Sequence, residues 1–219
     1  MAWNKEWDDV FASKPWGKYP SEELIRFIAK NFYSSRNRKK IKILELGCGT
    51  GSNLWYLSRE GFSIYGIDGS KIAVEKSVER INREVPSWSG SIKIGDFSKK
   101  LAFDDETFDA IIDVQAISCN DLTSSLQIYK ECKRVLKKDG LIFTKMFSSV
   151  CLDSSTSLFI APKDGIFSNM GKIRFTSMKD AKTLMEVYET LSIESLTRAR
   201  FHPNHELVEE YIFIGKKND

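Results

Sequence analysis

The sequence predicts an α/β fold: a doubly wound, mostly parallel seven-stranded sheet with helices on both faces and a C-terminal antiparallel hairpin. Three observations predict it. Apolar strand-like runs alternate with amphipathic helical patterns along most of the chain. The run Phe108–Val114 is almost continuously apolar, as expected of a parallel strand covered on both faces. Near the end, the alternating or apolar runs 192–200 and 208–216 are joined by the polar loop His202-Pro203-Asn204-His205, the pattern of a hairpin.

The elements follow in order. Residues 21–32 read as a helix, with Ser21 as N-cap, Glu22 and Glu23 in the first turn, and Leu24, Ile25, Phe27 and Ile28 forming one apolar face. The first strand is 40–46 and the next helix 53–60, stopped by Gly61. A second strand, 62–67, leads to a helix over 72–83; Pro86 and Gly90 punctuate the loop to a third strand, 91–95. After Phe108–Val114 comes a helix over 124–136, closed by Lys137-Lys138-Asp139-Gly140 as a basic last turn and glycine stop, and then a fifth strand, 141–147. A helix over 178–190 precedes the hairpin.

A chain of 219 residues is enough for one well-buried core, and the pattern reads as one domain over 1–219. Within it, 1–39 is an N-terminal lid and helix region, 40–147 a ligand-binding core, 148–172 a substrate-side insert, and 173–219 the last helix and hairpin. The 33 basic and 30 acidic residues give a net charge of +3, which does not demand a polyanionic partner. The run Arg36-Asn37-Arg38-Lys39-Lys40 reads as a solvated turn rather than a nucleic-acid contact. Cys48, Cys119, Cys132 and Cys151 lack metal-site spacing, so no metal is expected. The first residues are too polar for a signal peptide and no apolar run reaches membrane-spanning length, so the expectation is a reduced, cytoplasmic protein with no membrane partner.

The most informative stretch is Ile43-Leu44-Glu45-Leu46-Gly47-Cys48-Gly49-Thr50-Gly51-Ser52-Asn53. A strand runs into three glycines spaced two apart, and a helix begins behind them. Such a turn brings backbone close to a ligand and offers it unpaired N–H groups. Turn geometry alone, a dinucleotide, or another nucleotide-sized cofactor would each account for glycines here. The dinucleotide pattern, however, is G-x-G-x-x-G with a pyrophosphate on the helix N-terminus, and Glu45 just upstream would repel a pyrophosphate.

The segment resembles motif I of the class I S-adenosylmethionine-dependent methyltransferases, small-molecule type. Further positions along 40–147 carry the resemblance in order. Asp68 ends the second strand in Tyr65-Gly66-Ile67-Asp68-Gly69-Ser70, either to accept from ribose hydroxyls or to cap the next helix. Asp96 and Phe97 follow the third strand, where the family accepts from the adenine amino group and stacks beside the ring. The connector Leu101-Ala102-Phe103-Asp104-Asp105-Glu106-Thr107-Phe108-Asp109 resembles family scaffold. Asp113-Val114-Gln115-Ala116 closes the fourth strand, where the family places the reacting methyl group; Asp113 either faces the site or is buried and paired. The resemblance implies S-adenosylmethionine as cofactor, held by Glu45, Gly47, Cys48, Gly49, Gly51, Asn53, Asp68, Gly69, Ser70, Asp96, Phe97, Asp113 and Gln115.

It also implies methylation of oxygen or nitrogen on a small-molecule acceptor. The Asn/Asp-Pro-Pro-aromatic motif of DNA and glutamine N-methyltransferases is missing after the fourth strand, and nucleic acid is not expected as a partner. An RNA or protein methyltransferase, or a non-catalytic cofactor-binding protein, is the alternative. No catalytic residue is assigned. His202 and His205 read as surface histidines, and Asp113 and Asp121 are the other groups near the right strand end. The insert and the segment Trp16-Gly17-Lys18-Tyr19-Pro20 are expected to shape the acceptor pocket, although these aromatics could equally pack the first helix onto the domain.

Overall fold

β1 (Lys42–Leu46) is the strand around which the chain winds both ways. The computed structural model describes residues 6–13, 17–165, 167–168, 171–201 and 206–218. Before β1 come α1 (Glu6–Ser13) and α2 (Glu22–Phe32). After it follow α3 (Ser52–Arg59), β2 (Ser63–Asp68), α4 (Lys71–Glu84), β3 (Ser89–Ile94) and β4 (Phe108–Val114). Then come α5 (Leu122–Val135), β5 (Leu136–Phe147), β6 (Leu158–Ile160), β7 (Ile173–Phe175), α6 (Met178–Met185), β8 (Glu189–Arg200) and β9 (Glu206–Lys216).

The main sheet has seven strands in the order β3-β2-β1-β4-β5-β9-β8. Pairing is parallel from β3 through to β5; β9 then runs antiparallel to β5, and β8 to β9. The predicted α/β sheet and terminal hairpin are therefore present. The order reverses between β1 and β4, and such a switch point opens a crevice at the carboxyl ends of the strands.

Side chains alternate across β1. Leu44 and Leu46 bury against Ile111, Ile128 and Tyr129 on one face, and Ile43 against Leu54, Ala110 and Phe143 on the other. Helix α2 adds Leu24, Phe27 and Ile28 to the second face, and α6 adds Leu184 and Met185 to the first. Both faces are covered, which is why the strands read as apolar runs.

Four local expectations change. Helix α5 stops at Val135, and Lys137-Lys138-Asp139-Gly140 form no helix tail. They bulge out of β5 between the pairs Phe108↔Leu136 and Ala110↔Leu141, with Asp139 at φ 60° and Lys137 Nζ bonded to Asp109 at 2.8 Å. Helix α6 ends at Met185 rather than 190, because Tyr188 turns inward to donate its hydroxyl to the Tyr129 carbonyl at 2.7 Å. The insert 148–172, for which no strand is expected, contains β6, which pairs antiparallel with β7. Residues 6–13, which carried no helix expectation, form α1.

No helix among the described residues is long and apolar enough to cross a membrane. No group of three or more potential metal ligands occurs among them, and Cys48, Cys119, Cys132 and Cys151 are free thiols.

Candidate functional site

The turn after β1 places three glycines at positive φ. Gly47, at φ 63°, lies so close to the next strand end that a Cβ there would stand 2.2 Å from Ala116 Cβ. Gly51, at φ 80°, is the N-cap of α3, and a Cβ on it would meet Ser77 Oγ at 2.1 Å. The turn is hung from β2 by backbone bonds from Gly47 and Cys48 N–H to the Ile67 carbonyl, at 2.8 and 3.2 Å. Asp68 holds it as well: Oδ2 accepts from Gly49 N–H and Oδ1 from Ser70 N–H, both at 2.8 Å.

Around this turn opens a cavity of about 560 Å³, within the roughly 300–1,000 Å³ usual for small-ligand sites. Of the residues singled out from sequence, Glu45, Gly47, Cys48, Gly49, Asn53, Asp68, Gly69, Asp96, Phe97 and Gln115 line it. Three do not. Gly51 packs behind the turn on Ser77. Ser70 caps α4, accepting from Ala73 N–H at 3.1 Å and donating to Asp8 Oδ1 at 2.5 Å. Asp113 is fully buried, accepting from Ile117 N–H at 2.9 Å and from the hydroxyls of Thr144 and Tyr129 at 2.5 and 3.3 Å. Of the two roles open to Asp113, geometry favours the structural one. His202, His205 and Trp16 lie outside the described residues.

Glu45 is 2% exposed. Its Oε1 accepts from Asn53 Nδ2 at 2.5 Å, while Oε2 has no hydrogen-bond partner. Burial, helped by the Asp68 and Asp113 charges, pushes this carboxyl up to about 8 from its ordinary 4.5. Burial also raises Asp68, against its two backbone bonds. Cys48 and Cys119 line the cavity, but burial holds Cys48 well above the ordinary thiol range and pushes Cys119 up to about 12, so neither is a nucleophile at neutral pH.

The structure adds residues that sequence reasoning missed. Trp7 and Phe11 on α1 line the cavity, their rings 5.7 Å apart, with Phe11 against Gly49. The spacing Trp7, Val10, Phe11 was a readable helical signal. Gly17 and Tyr19, from the segment expected to shape the pocket, line it too, as does Ser21. This N-terminal segment is tied down at several points: Lys76 Nζ to the Phe11 carbonyl at 2.5 Å, Arg80 Nη1 to the Lys18 carbonyl at 2.8 Å, and Ser52 Oγ to the Gly17 carbonyl.

At the other end stand Gln115, Lys145, Phe147, Ile173, Arg198 and Glu210. Gln115 is held at φ 68°, a conformation that costs a non-glycine residue on the order of 1–3 kcal/mol, and its side chain donates to Glu210 Oε1. Lys145 and Glu210 are polar side chains within buried strands, brought together by the β5–β9 register. The described part of the insert contributes no lining residue. Phe167 instead backs Phe147, ring centroids 5.0 Å apart.

Residues 43–140 match the family described as a methyltransferase domain. The chain is 32% identical over 103 residues to the uncharacterized methyltransferase YodH of Bacillus subtilis, covering 46% of this chain and 40% of that protein. It is 29% identical over 145 residues to a ubiquinone biosynthesis O-methyltransferase of Pelagibacter ubique, covering 63% and 57%. The chain thus spans about half the length of these curated relatives. In fold it is similar to the crystal structure of a SAM-dependent methyltransferase of Methanosarcina mazei, with a TM-score of 0.66 at 18% identity, covering 91% and 98%.

Proposed function

We propose that the chain is a class I, Rossmann-like, S-adenosylmethionine-dependent methyltransferase, a reading supported by the methyltransferase-domain match over residues 43–140 and by the fold, and that its cleft transfers a methyl group to oxygen or nitrogen of a small-molecule acceptor. One observation carries the cofactor half of this reading. Glu45, Asp68 and Asp96 face one end of the cavity with no lysine or arginine among the described lining residues there, and the Glu45 Oε2 is buried without a partner. A pyrophosphate would be repelled by that set, whereas a ligand bearing an ammonium, a sulfonium and several hydroxyl and amino donors complements it. The residues therefore fit S-adenosylmethionine, which supplies an electrophilic methyl group when bound.

Glu45 and Asn53 would meet the amino-acid end, Asp68 the ribose hydroxyls, and Asp96 with Phe97 the adenine. Gly47 and Gly49 let the backbone approach without a Cβ between. Trp7 and Phe11 would exclude water from this end of the cavity, which strengthens the charge interactions beside them. The domain is proposed to work as one unit, with 40–147 as the cofactor core.

Titration with S-adenosylmethionine and with NAD tests the assignment: binding of the first and not the second is expected, and binding of NAD alone would overturn it. Methyl transfer from labelled cofactor is expected to a metabolite extract and not to RNA or protein fractions.

Cofactor binding is expected to release a proton. Below about pH 8 the buried Glu45 is protonated, and a cationic ligand group favours its carboxylate. Affinity should therefore rise from pH 6 to pH 7.5, with up to one proton released per ligand in calorimetry across buffers of differing ionisation enthalpy. Glu45→Gln should abolish that release. In the unliganded chain the sign is opposite: the native state keeps a proton that the unfolded chain loses near its ordinary 4.5, so Glu45's contribution to stability falls as pH rises toward 8. Phe11→Ala is expected to weaken cofactor binding about tenfold, equal to ~1.4 kcal/mol; an unchanged Kd would assign Phe11 to packing alone.

A further inference from the structure

The geometry points to an acidic acceptor: a small molecule carrying a carboxylate or phosphate group on an apolar body, its acid group held by Arg198 and Lys145. The inference rests on the methyl-transfer reading and adds the substrate class to it. Two independent features of the cleft carry it.

The first is charge distribution. The cofactor end presents three acidic side chains, Glu45, Asp68 and Asp96. Lys145 and Arg198 are the only cations among the described lining residues, and both stand at the opposite end, where they pair with Glu210 in the lining and, for Lys145, with Glu23 behind it. Every cation of the described lining is thus gathered at one end, and three of its four acidic side chains at the other.

The second is hydrogen-bonding capacity. Glu210 is 1% exposed, and its carboxylate is occupied: Oε2 faces Lys145 Nζ at 3.3 Å and Arg198 Nη2 at 3.0 Å, and Oε1 accepts from Gln115. Lys145, 4% exposed, places its ammonium 3.2 Å from Glu23 Oε2 as well. These contacts leave one of the three N–H groups of Lys145 and four of the five of Arg198 for a ligand. Against them stands mainly the Gln115 carbonyl as an acceptor. A ligand that completes this end must bring acceptor oxygens, and a carboxylate or phosphate brings charge with them. An amine would face donors, and Glu210 has little capacity left to receive it.

The placement makes the acid group a handle rather than the reacting atom. Gln115 follows β4, next to β1, while Lys145 lies one strand further out and Arg198, on the edge strand β8, three. The Arg198 side chain is 65% exposed, so its guanidinium fork is open at the cavity mouth. Lys145 lies at the floor, where a desolvated charge discriminates more strongly. Phe147 and Ile173 line the same end and offer carbon surface to the body of the molecule.

The test uses the full chain, alone and saturated with S-adenosylhomocysteine, titrated calorimetrically with matched probes: hydroxy- and amino-substituted benzoates and aliphatic acids, their primary amides, and the corresponding phosphates. Acids or phosphates are expected to bind at least tenfold tighter than the amides, and whichever of the two binds tighter identifies the acid group. Arg198→Gln is expected to remove that preference, and Arg198→Lys to restore part of it, while S-adenosylhomocysteine affinity and the melting temperature stay unchanged. Amides binding as tightly as acids, no acid binding, or an acid preference that survives Arg198→Gln would each overturn the proposal. Failure of S-adenosylhomocysteine to bind would instead overturn the cofactor reading, and the titrations without it still report on the acid preference.

Discussion

Asp68→Ala is expected to weaken S-adenosylmethionine binding a hundredfold or more while the sheet stays folded. One buried carboxylate joins two strand ends there, taking the Gly49 and Ser70 N–H groups at 2.8 Å each. Alanine frees the glycine turn after β1 from the turn after β2 and removes the acceptor facing ligand hydroxyls. Hydrogen bonds to a charged group contribute roughly 1.5–3 kcal/mol each, so losing two ligand bonds corresponds to at least a hundredfold in affinity. Asp68→Asn keeps the shape and one acceptor oxygen but turns an N–H donor toward a donor, and should fall between the two. Calorimetric Kd values beside thermal melts make the test. A Kd for Asp68→Ala within threefold of the unmodified chain would remove Asp68 from the binding residues.

The cofactor end of the cleft was legible because its determinants are local. A glycine at positive φ behind a strand, and a carboxylate at the end of the next strand, are set by neighbours in sequence. Glu45, Gly47, Gly49, Asp68 and Asp96 could therefore be placed on one wall from motif and topology alone. The opposite end has no such locality. Lys145 meets Glu210 only through the antiparallel pairing of β5 with β9, across 65 residues of chain, and Arg198 joins them because β8 folds back on β9. The visible hint was a lysine or glutamate inside an otherwise apolar strand, where an unpaired charge is expensive. Boundaries shifted where tertiary contacts outweighed local signals, as at Tyr188, whose buried hydroxyl ended α6 early. Helix α1 is short, and the polar neighbours Glu6, Asp8 and Asp9 mask the helical spacing of Trp7, Val10 and Phe11.

Asp113, for which sequence left two roles open, shows the largest expected effect on stability. Asp113→Ala should lower stability by about 3–5 kcal/mol, the range for breaking a buried charge network by removing one partner. For a chain of 150–250 residues that is a fall of roughly 10 °C in the melting midpoint. The alanine leaves the Ile117 N–H and the Thr144 and Tyr129 hydroxyls without their acceptor. It also removes a negative charge that acts on Arg174, which is 1% exposed and whose Nη2 has no hydrogen-bond partner. Arg174 in turn holds the turn after β4, donating through Nη1 to the Asn120 carbonyl at 2.7 Å and to Ser125 Oγ, and through Nε to Thr176 Oγ1 at 3.1 Å. Charge coupling and simple loss of contacts separate in a double-mutant cycle. If the buried charges are coupled, Asp113→Leu combined with Arg174→Met will be less destabilised than the sum of the single changes. Strict additivity, or a melting point for Asp113→Ala within 2–3 °C of the unmodified chain, would show that the pair does not act as a unit. Because Ala116, one residue before the Ile117 anchor, closes directly over Gly47, loosening this network should also raise the cofactor Kd, although Asp113 itself does not line the cleft.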